Sequence, residues 1–221
     1  MSTPPGLRER KKQRTRELIA EAARRLFTAR GFEAVTVDDV AREADVSRKT
    51  VFNYFPTKED LFYSGLELFE AQLLEAIRTR APGQSILTAF ARFITQPRGL
   101  LSADDPEAEQ RLRAIIRVIA QSPALLARER QIYARYTEAL AELIAQETTA
   151  RPQDIGPWVA ANAMIGLHRA LVGYVREQVL AGRDRDRIAR AYRAQARQSV
   201  ALLERGFGQL GTSLRRSTEI E

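Results

Sequence analysis

Four polar residues in one short segment, Arg48, Lys49, Thr50 and Asn53, are of types able to hydrogen-bond the edges of DNA bases. Arginine and lysine suit the O6 and N7 atoms of guanine, asparagine suits adenine, and threonine serves a base or a phosphate. Val46, Val51 and Phe55 alternate with them and can face inward, so the segment reads as a helix with one wet and one dry face. Catalytic chemistry has far less to work with. The chain has 221 residues with a single histidine, His168, and no cysteine, which removes disulfides, Cys-ligated zinc, iron–sulfur clusters and thiol chemistry. No His-Glu-x-x-His, P-loop or Gly-x-Ser-x-Gly occurs, so an enzyme is not expected, nor a metal site or a cofactor. Gly206 to Gly211 does match Gly-x-Gly-x-x-Gly, but it follows a helix rather than a strand and reads as a helix stop.

Charge points the same way. The formal net charge is +7, a balance that favours nucleic acid or an anionic membrane surface as partner. Its distribution is more telling: Arg8, Arg10, Lys11, Lys12, Arg14 and Arg16 stand against the single acid Glu9, and all four lysines (Lys11, Lys12, Lys49, Lys58) fall in the first 58 residues. A membrane anchor would need more apolar surface near the start than Leu7, Leu18 and Ile19 provide. The polar opening reads as no secretory signal, and the most apolar stretch, Trp158 to Val175, contains Asn162, His168 and Arg169 and fails as a membrane span. A cytoplasmic protein with no membrane partner is the expectation.

The elements that must position these residues are helices. Leu18, Ala22, Leu26 and Ile19, Ala23, Phe27 form two adjacent rows at i, i+4, a stripe that should stop at Gly31 in a left-handed cap with Phe32 folded back on Phe27. Thr36-Val-Asp-Asp39 has the pattern of a capping box, and Ser47 restarts the chain as the next N-cap. Pro56 cannot extend that third helix, and Thr57, with Asp60 three residues on, caps a fourth expected over about 58–80. Leu61, Phe62, Leu66, Phe69, Leu73 and Ile77 would line one side of it. Further helices are expected at about 84–95, 105–120, 123–149, 157–181 and 184–206, with breaks at Gln96-Pro-Arg-Gly99, Asp105-Pro106, Ser122-Pro123, Arg151-Pro152, Gly156-Pro157 and Gly182. The tail from Phe207 is expected to fray. The fold class is thus all-α, about nine helices in total. Two helices joined by a three-residue turn and packed on a preceding helix make a helix-turn-helix, whose second helix enters the major groove.

Residues 15 to 62 go beyond this geometry. Thr15-Arg-Glu-Leu-Ile-Ala-Glu-Ala-Ala-Arg-Arg-Leu-Phe27, Gly31-Phe32, Thr36-Val-Asp-Asp-Val-Ala41, Ala44-Asp-Val-Ser47 and Thr50-Val-Phe-Asn-Tyr-Phe-Pro-Thr-Lys-Glu-Asp-Leu-Phe62 closely resemble the amino-terminal domain of the TetR family. The resemblance implies residues 1–60 as a basic arm and DNA-binding domain, 61–206 as a helical effector-binding and dimerisation domain, and 207–221 as a flexible tail, with the helix at about 58–80 linking the two domains. It implies phosphate contacts for Thr36, Tyr54 and Lys58, with Ser47 beside them, and base readout by Arg48, Lys49, Thr50 and Asn53. Lys49 stands where many family members have glycine and Phe52 where a tyrosine is frequent. The basic segment 8–16 sits where some relatives reach the minor groove or the backbone.

For the remainder the resemblance implies a regulator, usually a repressor, that binds a palindromic operator in double-stranded DNA as a homodimer and is released by a small molecule. The dimer would use the helices at about 157–181 and 184–206. A candidate effector pocket draws on Phe90, Phe93, Ile94, Ile115, Ile116, Ile119, Tyr133, Tyr136, Trp158, Asn162, Ile165, His168 and Arg169, a lining suited to a mainly apolar molecule with one polar or anionic end. The alternatives are a DNA-binding protein without an effector and, further off, a small-molecule enzyme.

Overall fold

The computed structural model describes residues 6–96 and 108–206, and of Leu7, Leu66 and Glu67 the backbone alone. The expected breaks at Pro97 to Gly99 and Asp105-Pro106, the side chain of Leu66 and the tail 207–221 lie outside the described residues. Every regular element among those described is a helix: α1 (Leu7–Arg30), α2 (Val37–Glu43), α3 (Arg48–Tyr54), α4 (Lys58–Phe62), α5 (Leu66–Arg78), α6 (Ile86–Ile94), α7 (Ala108–Gln121), α8 (Pro123–Thr148), α9 (Gly156–Leu180) and α10 (Arg185–Arg205). None of them is long and apolar enough to cross a membrane. The chain forms two compact units, one of residues up to Ala71 with Gln110–Ile132, the other of Gln72–Glu109 with the residues from Tyr133 onward.

In the first unit α1 packs on α2 and α4, and α2 on α3. The rows read from the sequence supply the core, with Ile19, Ala22, Ala23, Phe27, Val40, Val51, Phe55 and Leu61 buried, whereas Leu18 is 53% exposed. Gly31 ends α1 at φ 80 and ψ 162, which corrects the expected left-handed cap. It is an extended positive-φ conformation open essentially to glycine alone. The Phe27 and Phe32 rings still meet at 5.1 Å, the contact expected across Gly31.

Both capping boxes form. The Thr36 and Thr57 hydroxyls accept the amides of Asp39 and Asp60, while each carboxylate takes the threonine's own N–H. The end of α2 is a Schellman motif in which Val46 N–H donates to Ala41 O at 2.9 Å and Asp45 N–H to Arg42 O at 3.3 Å. It places Asp45 at φ 52, a conformation L-residues avoid and aspartate tolerates.

One helix count needs correcting. The single helix expected over 58–80 is two, α4 and α5, separated at residues 63–65, so ten helices are described rather than nine. Ser64 and Gly65 are poor helix formers, and the apolar stripe that runs through them does not outweigh this local preference. Tyr63 is buried at the break, and its hydroxyl donates to Leu125 O at 3.1 Å.

The second unit packs α6, α9 and α10 on one another. Tyr192 of α10 donates its hydroxyl to Ile94 O at 2.7 Å, closing the end of α6. Arg80 caps α5 by donating to Ile77 O at 2.8 Å and pairs with Glu147 of α8 at 2.7 Å. Gly182 ends α9 at φ 73 as its residue type suggests, with Arg183 N–H reaching back to Gln178 O at 3.1 Å. Helix α9 is not covered all round: Pro157, Ala161, Met164, Ile165, Leu167, Leu171 and Val179 are buried, while Ile155, Trp158, Val159 and Leu180 are exposed.

Asp45 gives a direct test of the helix-turn-helix turn. Left-handed geometry costs an L-residue about 1–2 kcal/mol, less for aspartate, and the added chain entropy of glycine offsets about 0.4–1 kcal/mol. Asp45→Gly is therefore expected to change stability by no more than about 1 kcal/mol, on the stabilising side, whereas β-branched Asp45→Val loses more than that, as read by urea denaturation.

Candidate nucleic-acid interface

Helix α3 has one buried and one exposed face. Val51 and Phe55, four residues apart, are 0% and 1% exposed and fix the helix against the first unit's core. Arg48, Lys49 and Asn53 consequently face outward and are exposed. Ser47 caps the helix by accepting Thr50 N–H at 3.0 Å, and its hydroxyl shares a 2.8 Å hydrogen bond with that of Thr50. Thr50 is half-buried.

Arg48 is held from two sides. Its Nη1 donates to Asp38 Oδ2 of α2 at 3.0 Å, and its Cζ lies 5.5 Å from the centroid of Phe52. Asn53 stands five residues further along, near the end of α3.

The phosphate candidates stand at helix ends: Thr36 caps α2, Ser47 caps α3, Tyr54 ends α3 and Lys58 begins α4. Lys58, in the first turn of α4, rests its Nζ 4.1 Å over the Phe32 ring, and Tyr54 is half-buried at the end of α3. Thr36 is less available than its position suggests: its N–H and hydroxyl both donate to Asp39 Oδ2, at 2.9 and 2.8 Å. These hydrogen bonds, the backbone one foremost, hold the Asp39 carboxyl below the usual carboxylate range, with Arg30 and Arg42 assisting. The basic segment 8–16 is helical, a continuation of α1; Arg8, Arg10, Lys11, Lys12 and Arg14 are exposed, and Arg16 lies over Phe55 at 4.6 Å.

The head formed by α1–α4 is also linked to residues 122–128, through bonds that carry no local signal in the sequence. Ser122, the buried N-cap of α8, accepts Leu125 N–H at 3.3 Å and donates to Glu33 Oε1 at 2.7 Å. Arg128 grips Asp60 through Nε at 3.0 Å and Nη2 at 2.6 Å, both on Oδ1. Asp60 Oδ2 meanwhile takes the Thr57 N–H and hydroxyl. The capping box is visible in the sequence; its arginine partner, 68 residues away, carries no local signal.

The pocket candidates are only partly brought together. In the second unit the Tyr133 ring lies 5.9 Å from Tyr136 and 5.9 Å from His168, and the Arg169 guanidinium 5.5 Å over Tyr133. Phe90, Phe93, Ile94 and Ile165 are buried in the same unit. Burial lowers the His168 pKa to about 4, so its ring is neutral at ordinary pH. Ile115, Ile116 and Ile119 belong to the first unit. Trp158 is 47% exposed, and Asn162, also exposed, donates to its own helix at Trp158 O, so neither joins the aromatic group. Among the described residues no cluster of side chains is suited to a metal ion.

Residues 19–64 match the family of bacterial regulatory proteins named for tetR, and residues 85–214 match the MftR C-terminal domain. MftR of Mycobacterium tuberculosis, a protein named for transcriptional regulation of mycofactocin biosynthesis, is 30% identical over 165 residues, covering 72% of this chain and 78% of its own. The transcriptional regulator TcmR of Streptomyces glaucescens is 30% identical over 154 residues, covering 68% of this chain and 66% of its own. Among solved structures, NalD of Pseudomonas aeruginosa, the secondary repressor of the MexAB-OprM multidrug efflux pump, aligns with a TM-score of 0.53 at 21% identity, over 85% of this chain and 97% of that one. GusR of Salmonella enterica aligns with a TM-score of 0.51 at 19% identity, over 86% and 93%. At these identities the structures bear on the fold. The sequence relatives are regulators of transcription, not enzymes.

The bond between Arg128 and Asp60 is charge-assisted and largely shielded from solvent, the side chains being 27% and 13% exposed. Arg128→Ala leaves that carboxylate with its capping role alone and is expected to lower stability by about 1–2 kcal/mol in urea denaturation, with Arg128→Lys recovering part of the loss.

Proposed function

Because the chain belongs to the TetR family of DNA-binding transcription regulators, we propose that it is a repressor that binds a palindromic operator as a homodimer and leaves it when a small molecule binds. The observation that carries the DNA reading is the outward face of α3, where Arg48, Lys49 and Asn53 stand exposed because Val51 and Phe55 are buried behind them. Arg48 and Lys49 read guanine and Asn53 reads adenine in the major groove. Lys58, Tyr54 and Ser47 position the head on phosphates, and Thr36 joins them once its hydroxyl leaves Asp39. Thr50 reaches a base with the hydrogen-bonding capacity that its hydroxyl keeps beside Ser47. The exposed cations at the start of α1 add sequence-independent attraction.

The dimer is proposed through α9 and α10. The exposed apolar residues at the start of α9, Ile155 at its N-cap with Trp158 and Val159, support it, because adjoining apolar side chains of this size are usually covered by a partner. A two-fold pair then sets its recognition helices about one DNA turn (~34–36 Å), or a multiple of it, apart.

The effector is proposed to lie against Tyr133, Tyr136 and His168, with Arg169 at its polar end and Phe90, Phe93 and Ile165 behind. Neutral His168 fits a mainly apolar ligand. Release requires that the ligand prefer a conformation whose spacing no longer fits the operator. Helix α8 supplies a route: it is one helix, carrying Arg128 on Asp60 near its start and Tyr133 and Tyr136 further along. By linkage, operator DNA must weaken effector binding by the same factor.

Selection of bound duplexes from a random DNA pool tests the proposal. A two-fold symmetric consensus with guanine and adenine in each half-site is expected. Recovery of no common sequence, or of an unrepeated asymmetric one, would contradict a dimeric operator-reading protein.

A further inference from the structure

Asp38 has no part in the capping box beside it. Asp39 serves that function, accepting from Thr36 and pairing with Arg42 and, more loosely, Arg30. Asp38 instead turns to the next helix, where its Oδ2 accepts the Arg48 Nη1 at 3.0 Å. Both side chains are exposed, 52% for Asp38 and 61% for Arg48, and an ion pair in that setting adds little to folding. Its effect is on geometry. Arg48 is the first residue of α3, and an arginine there has a long, freely rotating side chain. Asp38 on one flank and the Phe52 ring, 5.5 Å from the guanidinium carbon, on the other restrict its directions. One N–H is used on Asp38 and four remain for a base edge.

We infer that Asp38 is a specificity-determining positioning residue: it holds Arg48 toward one base pair and penalises every use of Arg48 other than base readout. The inference rests on the proposed base-reading role of Arg48. Its physical basis is a competition between a base and a phosphate. An unrestrained arginine that meets the wrong base swings to a neighbouring phosphate and keeps most of its electrostatic attraction. Here that swing breaks the pair and leaves the Asp38 carboxylate unpaired on a surface facing polyanionic DNA. With the matching base the pair survives, strengthened as water leaves the interface. Wrong sequences therefore lose affinity in a way that the correct one does not, which is how an unfavourable group creates discrimination.

The test measures dissociation constants at fixed salt for the full-length protein with the fluorescein-labelled selected duplex. A panel carrying one symmetric base-pair substitution per half-site position is measured alongside. Arg48→Ala identifies the base pair Arg48 reads. Asp38→Ala is expected to lose roughly tenfold discrimination at that same base pair, mainly through tighter binding of the substituted duplexes, with other positions unchanged. Asp38→Asn, which keeps an accepting oxygen without the charge, should fall between Asp38→Ala and the parent. Thermal melting of each variant separates these effects from loss of fold. If Arg48→Ala relaxes one base pair but Asp38→Ala keeps full discrimination there, or loses it equally at every position, the inference fails while the reading of Arg48 stands. If Arg48→Ala relaxes no base pair, the base-reading role of Arg48 fails and the inference with it.

Discussion

A helix of seven residues does not hold itself together in water, because the cost of its first turn is spread over too few hydrogen bonds. Helix α3 is of that length, and all that is proposed for the molecule depends on its being held. Val51 and Phe55 hold it. Both are fully buried, and side chains of this kind contribute about 1.5–3 kcal/mol each relative to exposure. The Ser47 cap adds to this at the front, and Arg16, over the Phe55 ring, ties the basic start of α1 to the same anchor. Arg48, Lys49 and Asn53 thus stand on a short helix anchored to the core of the first unit.

The second constraint is Asp60. One carboxylate oxygen closes the capping box that starts α4 and so sets Lys58, while the other receives Arg128 from α8. A shift of α8 has two courses open to it: breaking a short, shielded ionic hydrogen bond, or carrying Asp60 along with it. Ser122 on Glu33 and the Tyr63 hydroxyl on Leu125 act on the same stretch of chain, so the head is fastened at three points rather than one. In the proposed regulator these three bonds are what a shift of α8 would have to break or carry with it.

The helices of the first unit were legible in the sequence because their determinants are local. Caps at Thr36, Ser47, Ser122 and Thr57 lie three residues from the amides they accept, and the Phe27–Phe32 contact lies across one glycine. Where the sequence misled, two local tendencies opposed each other: the apolar stripe through 58–80 favours one helix, and Ser64-Gly65 favours a break. The polar face of α3 followed from its periodicity, but the pairing of Arg48 with Asp38 did not, since a charge ten residues away on another helix has no signature. The aromatic group around Tyr133 shows the limit most clearly. Apolar composition selected residues that are buried together, such as Tyr133 and Tyr136, and also Trp158, which faces solvent. Composition registers that a side chain is apolar and is blind to what covers it.

The central claim is that the exposed side chains of α3 read sequence while the rest of the head supplies general attraction to DNA. The most direct measurement compares the parent with the triple variant Arg48→Ala, Lys49→Ala, Asn53→Ala, titrating each against the selected duplex and a scrambled duplex of equal length. The account predicts that the variant melts like the parent, still binds DNA weakly, and no longer distinguishes the two duplexes. A variant that keeps the parent's preference for the selected duplex would place sequence reading elsewhere on the molecule and contradict the account.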